Sequence, residues 1–203
     1  ASPTQPLNRS RVSAAAAAAI AMLGATAFPG TKEVLDYTFY DTQTFTTVTA
    51  ATKSYFAAPG TAILTSNFIG SGAMPSAQAF LVNTLRIVPL PGSPIADVIN
   101  MMKFLSLVFN VENARKYAEG PAFLFPAGVG AQVEAQGTGA GNTSSGNPGM
   151  PSLGNVYRFS QPVILRPLQP FAINVTANAS FTATTSPMSV TVAMDGLLVR
   201  SVG

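Results

Sequence analysis

The sequence contains no cysteine, no histidine and no tryptophan. Without cysteine there is no disulfide framework and no thiol chemistry. Without histidine as well, the common catalytic triads and dyads and the usual zinc sites are excluded by inventory. Charge is scarce too: Asp, Glu, Lys and Arg make up 9% of the chain, against roughly 25% in ordinary soluble domains. Hydrophobic residues reach 47%, a usual share. The missing charge is therefore replaced by Ala, Thr, Ser, Gly, Asn and Gln. Such a surface defends a solitary protein poorly against association. It is expected of a subunit in an assembly, because charge is depleted at interface cores. The 203 residues suit one domain, or one domain with a long arm.

The remaining hydrolytic option is a pair of carboxylates at a fixed separation. The eight acids are scattered, with Asp97, Glu112, Glu119 and Glu134 in helix, loop or turn settings, and nothing nominates a pair. The glycine clusters Gly128-Val129-Gly130 and Gly137-Thr138-Gly139-Ala140-Gly141 lack the Lys-Ser/Thr and the following helix of a phosphate loop, and the strand-then-helix frame of a dinucleotide site. Asn-X-Ser/Thr occurs at Asn8, Asn142, Asn174 and Asn178, as chance allows in a chain rich in these residues. The reading is a non-enzyme with no catalytic residue, no cofactor, no metal and no small-molecule substrate.

Residues 1–30 read as an N-terminal arm. Residues 1–12 have two prolines and no period. Six alanines follow Ser13, a plausible N-cap, and Pro29-Gly30 stops the run. As a helix, residues 14–28 would span about 22 Å, short of the ~30 Å a membrane requires. A helical arm is favoured over a targeting segment or a membrane-dipping helix. Residues 1–32 hold Arg9, Arg11 and Lys32 and no acid, while the rest balances at eight charges of each sign. Arg9 and Arg11 are the candidate contacts to nucleic acid or to a neighbouring subunit, since phosphate contact needs only tethered cations.

Residues 31–203 read as strands. Leu35, Tyr37 and Phe39 alternate, and Asp41-Thr42-Gln43 divides residues 35–58 into two or three short strands. Phe80–Val88 is a strand with Phe80, Val82, Thr84, Arg86 and Val88 on one face, ended by Pro89, Pro91 and Pro94. Ile95, Val98, Ile99 and Met102 mark one helical face over 95–104. Leu105, Leu107 and Phe109 form a strand, Glu112–Arg115 a hairpin loop, Gly120-Pro121 a turn, and Phe123–Pro126 a short buried piece. Residues 127–155, with eight glycines among 29 residues, read as a long loop. Beyond it, Pro162 and Pro167 should bound a strand, and Phe171, Ile173 and Val175 should share a face. Asp195-Gly196 is either a hairpin turn or a bulge within one long strand.

Four segments together resemble the jelly-roll coat proteins of small icosahedral viruses, especially those of bacterial viruses. They are Pro75–Ile87 (PSAQAFLVNTLRI), Val108–Pro126 (VFNVENARKYAEGPAFLFP), Pro162–Val175 (PVILRPLQPFAINV) and Val190–Val202 (VTVAMDGLLVRSV). The resemblance implies an all-β chain: a single jelly-roll β-sandwich of about eight main antiparallel strands, with long end loops and an arm reaching beneath neighbours. It implies a capsid protein that self-assembles in many copies with other virion proteins into an icosahedral shell. The expected location is the virion, with weak nucleic-acid contact through the arm and contact with an internal membrane as further candidates. The rival reading is a secreted β-sandwich binding module, a carbohydrate binder or adhesin. It would use exposed aromatics, with Tyr37, Tyr40, Tyr55, Tyr117 and Tyr157 in place of the missing tryptophan, or loop carboxylates with calcium.

Overall fold

The computed structural model describes residues 18, 21, 31–45, 51–90, 93, 95–112, 115–127, 132–134, 145–147, 155–178 and 187–202. Two four-stranded antiparallel sheets pack into a sandwich. The strands are β1 (Thr31–Phe45), β2 (Ala51–Tyr55), β3 (Gln78–Pro89), β4 (Leu105–Val111), β5 (Arg115–Pro121), β6 (Gln132–Glu134), β7 (Ser145–Asn147), β8 (Tyr157–Leu165), β9 (Phe171–Ala177) and β10 (Met188–Val202). The helix α1 (Ile95–Phe104) runs straight into β4. The first sheet has the order β1-β10-β3-β8 and the second β2-β9-β4-β5, while β6 and β7 pair only with each other. Ladders join β1 to β10, β3 to β8 and β4 to β5, and β2 pairs with β9. The eight main strands are therefore one folded ribbon wound across two sheets, which is the jelly roll.

The strands form where apolar residues recur every second position. Leu105, Leu107, Phe109 and Val111 of β4 face inward, as do Phe171, Ile173, Val175 and Ala177 of β9. The shared face expected of Phe171, Ile173 and Val175 is present. The core is rich in aromatic rings. Phe39 lies edge-on to Phe68 and Phe80, and Phe68 to Phe56 and Phe171, with centroids 4.8–5.5 Å apart. A second group, Phe109, Tyr117, Phe125, Tyr157 and Phe159, packs along the side where β5 and β8 are the edge strands.

Several sequence expectations are corrected. Asp41-Thr42-Gln43 does not divide a strand: β1 runs unbroken over 15 residues. Asp41 is buried there because its Oδ2 accepts the Phe56 N–H at 2.7 Å, and Phe56 has φ 60. The single face expected of β3 breaks at Asn83. Asp195 and Gly196, adjacent in β10, pair with Thr84 and Val82, so Asn83 is an extra residue. Phe80 and Val82 point inward before this bulge and Leu85 and Ile87 after it, while Thr84 and Arg86 turn outward. Asp195-Gly196 is accordingly not a hairpin, and β10 runs through it. Pro162 lies inside β8. Val82 pairs with Val163 and Thr84 with Arg158, so residues 159–162 bulge out of the ladder and place the proline where no N–H is needed. Pro167 does follow the strand.

The helix α1 is where the spacing places it, but its buried side holds Asp97, Val98 and Met101. Met102 is half-buried and Ile99 exposed. Gly120-Pro121 ends β5 instead of forming a turn, and residues 122–124 make a 3-10 turn that exposes Phe123 and Leu124 and buries Phe125. Within 127–155 the short β6–β7 ladder interrupts the expected loop. Ala18 and Ala21 are helical. The remaining expectations for residues 1–30, and Pro91 and Pro94 after β3, lie outside the described residues.

Candidate functional site

The outward face of the first sheet is graded along its strands. At the end where β1 begins, Ala79, Leu81 and Val199 form an apolar cluster with Val34, Ile164 and Leu197 packed against it, separate from the main core. Leu81 is only 2% exposed although it points away from the sandwich interior. In mid-sheet, Asp195 Oδ1 accepts Thr38 Oγ1 at 2.7 Å and Arg86 Nη2 at 2.6 Å, and Oδ2 accepts Thr84 Oγ1 at 2.5 Å. Towards the far end come the hydroxyl pairs Thr42–Thr191 and Thr44–Ser189. The outward face of the second sheet also carries uncharged pairs, Thr52–Thr176 and Ser54–Asn174.

Among the described residues the Asp195 carboxylate gathers three polar side chains, and sequence reasoning missed it. Its signal was present: Arg86 is the one charge in Phe80–Val88 and Asp195 the one charge in Val190–Leu198. Two apolar strands with one opposite charge each predict a cross-strand pair. Arg86 and Asp195 keep 20% and 30% of their side chains exposed, and Arg86 Nε is buried without a hydrogen-bond partner. The group borders an open cavity of about 580 Å³ that reaches Asp36, Asn83 and the β8 bulge at Arg158–Ser160 and Pro162. Three donors occupy the carboxylate, so its chemistry is that of a brace across β1, β10 and β3.

A second cleft, of about 840 Å³, runs between the edge strands β5 and β8. Arg115, Arg158 and Arg166 line it with Tyr117 and Tyr157. At its rim Gln169 Nε2 donates to Glu112 Oε1 at 2.8 Å. Two of the five tyrosines thus line one cleft. Tyr55 is fully buried and donates to the Val190 carbonyl at 3.0 Å. Burial, followed by the nearby Asp41 carboxylate, pushes the Tyr55 hydroxyl pKa above its ordinary range. Tyr37 packs on Phe39, and the Tyr40 hydroxyl donates to the Ile63 carbonyl.

Three of the four edges of the main sheets, β1, β8 and β5, are guarded. Along β1, Asn67 Oδ1 accepts the Tyr40 N–H at 2.9 Å, Asn67 Nδ2 donates to the Thr38 carbonyl at 2.8 Å, and the Asn67 N–H donates to the Tyr40 carbonyl at 3.3 Å. One residue thus occupies the backbone groups that another strand would use. β8 is bent by its bulge and Pro162. In β5, Phe109 and Asn110 pair with Ala118 and Lys116, leaving Tyr117 as an extra residue.

The ends of the sandwich are different. The connections 56–77 and 166–170 are joined at one end by hydrogen bonds from Met74 N to Gln169 O and from Phe171 N to Gly72 O. They expose Ile63, Leu64, Ile69 and Leu168, at 64–88%. The opposite end exposes Leu90, Ile99, Phe123 and Leu124.

Of the residues nominated from sequence, Arg9 and Arg11 lie outside the described residues. The four acids are not gathered: Asp97 is buried in α1, Glu112 is at the hairpin, Glu119 pairs with Lys116 at 2.9 Å, and Glu134 lies in β6. Asn174 sits in β9, bonded by Ser54 Oγ. Among the described residues no group of three or more acids, histidines or cysteines could hold a metal ion, and no helix is long and apolar enough to cross a membrane. No family model and no curated protein matches the chain.

Proposed function

We propose that this chain is a viral coat protein that self-assembles in many copies into an icosahedral shell, and that it works in the virion. The observation that carries the reading is a jelly roll whose polar outer positions are largely uncharged and whose ends hold eight exposed large apolar side chains. Jelly rolls serve viral capsids and lectins alike, so the surface must decide between them. A soluble binding domain needs charge to stay apart from its copies, whereas end loops with little charge and exposed Ile, Leu and Phe favour lateral contact. The segments that resemble bacterial-virus coat proteins fall on β3, β4–β5, β8–β9 and β10. Arg9 and Arg11 are the residues offered for contact with the genome or a neighbouring copy, and residues 13–28 are those offered for an internal membrane.

Electron microscopy and size-exclusion chromatography of the full chain over a concentration series test this. Closed particles or large regular oligomers are expected. A monodisperse monomer at the highest concentration reached would overturn the reading.

The second reading, a secreted binding module, is favoured by the cleft between β5 and β8, where Tyr117 and Tyr157 meet three arginines. Glycan-array binding that is lost in Tyr117→Ala, by a chain that stays monomeric, would establish it instead.

A further inference from the structure

We infer that the turn Ala62–Ser66 is an assembly contact, with Ile63 and Leu64 docking as a pair on a second copy of this chain. The inference rests on the coat-protein reading and names one surface through which copies meet. Ile63 is 76% exposed and Leu64 88%, the two highest values among the exposed large apolar side chains. Adjacent apolar residues at the tip of a connection give up water contact only when something covers them.

The turn that presents them is held firmly. Thr65 N and Ser66 N donate to the Ala62 carbonyl at 2.9 and 3.0 Å, and Thr65 Oγ1 donates to the same oxygen at 2.9 Å. The Tyr40 hydroxyl donates to the Ile63 carbonyl, and Gly60 N to the Phe68 carbonyl at 2.7 Å. A Cβ on Gly60 would lie 2.4 Å from the Ser66 carbonyl oxygen, so the two arms of the turn touch through their backbones. A preorganised tip loses little entropy on docking.

The chemistry of the occupant follows from charge and area. From Ser54 to Leu85 the sequence holds no charged residue. Nothing in this stretch attracts an acidic or basic partner or an anionic lipid surface, so the receiving surface is itself uncharged. This chain supplies such a surface on the Thr52, Ser54, Asn174 and Thr176 face of the second sheet. Two side chains also cover far less than the roughly 1,200–2,000 Å² of a stable pairwise complex. A contact this small contributes where it is repeated many times in a closed assembly.

The test compares the full chain with I63S/L64S by thermal melting and by the concentration at which particles form. The variant should melt with the parent, because both side chains stand in solvent. Its threshold for particle formation should rise at least about tenfold, since each buried aliphatic side chain stabilises a contact by more than a tenfold change in association requires. The chain has no cysteine, so L64C carries a single thiol. Its reaction with a maleimide should slow at least about tenfold in particles relative to subunits, as access falls.

Unchanged particle formation by I63S/L64S, or equal thiol reactivity in both states, overturns the inference and leaves the coat-protein reading standing. A parent chain that never associates overturns both. Binding of neutral phosphatidylcholine vesicles by the parent but not by I63S/L64S, with assembly unaffected, assigns the turn to a membrane and overturns contact between copies.

Discussion

Tyr55 and Asp41 show how few polar groups this core contains and how fully they are used. The Tyr55 hydroxyl crosses the sandwich to the Val190 carbonyl, and Asp41 caps the Phe56 N–H just beyond β2. The folded state favours protonated Tyr55, so its hydroxyl pKa lies above the ordinary value of 10.0 that the unfolded chain shows. The stabilisation from this group is complete below that value and is lost as pH rises above it. Urea unfolding from pH 8 to 11 should therefore show stability falling above about pH 10, with a shallower fall in Tyr55→Phe. Asp41→Ala should lower stability by about 1–3 kcal/mol, because it leaves a buried backbone N–H unsatisfied. Gly196→Ala should cost at least about 2 kcal/mol. The added Cβ would lie 1.8 Å from the Leu81 carbonyl oxygen, a backbone atom held in the β3–β10 ladder. Asp195→Asn keeps the shape of the brace on the outward face but removes the charge opposite Arg86. A loss of about 1–2 kcal/mol in chemical denaturation is expected, reduced from the buried-pair value by partial exposure.

At the level of elements, the two bulges decide which side chains reach the core and which reach solvent. Strand positions were legible because Phe171-Ile173-Val175 and Leu105-Leu107-Phe109 alternate cleanly, whereas the jelly-roll order was only what the resemblance implied, since alternation does not name a strand's partner. The faces of β3 were not legible, because period-two reasoning carries a phase forward until something resets it. Asn83 resets it without any local mark in the sequence, since an extra residue is defined only against the partner strand. The Asp195 brace was hidden for the same reason: Asp-Gly reads as a turn until β1 and β3 are seen on either side. Spacing alone places Ile99 on the apolar face of α1, yet tertiary packing selects the side carrying Asp97 and Met101. The edge guard on β1 was equally invisible, because Asn67 acts across a distance in sequence. Asn67→Ala should leave the outward side of Thr38 and Tyr40 open. Faster growth of thioflavin-positive aggregates at equal thermal stability is the expected sign. Equal aggregation would show that β1 is protected by other means.

At the scale of the molecule, the placement of charge and the placement of edges agree. Three sheet edges are blocked or bent, so strand addition is discouraged, while the sandwich ends are left apolar. On the coat-protein proposal, the open route for association is through side-chain contacts at the ends. The ribbon topology carries a further consequence, for the order of events in folding. Val111 pairs with Arg115 across a short turn, but Thr31 pairs with Val202 across almost the whole domain. The β4–β5 hairpin can form as soon as it is made, whereas β1 has no partner until β10 has been synthesised. Such non-local pairing places folding in the millisecond-to-second range or slower. Phe109→Ala should then slow refolding in stopped-flow measurements, and Phe39→Ala should mainly speed unfolding. During synthesis, the first strand of the sandwich waits for the last, with Phe39 and Phe45 uncovered in the meantime. Chaperone capture of the nascent chain is therefore expected to end when β10 emerges.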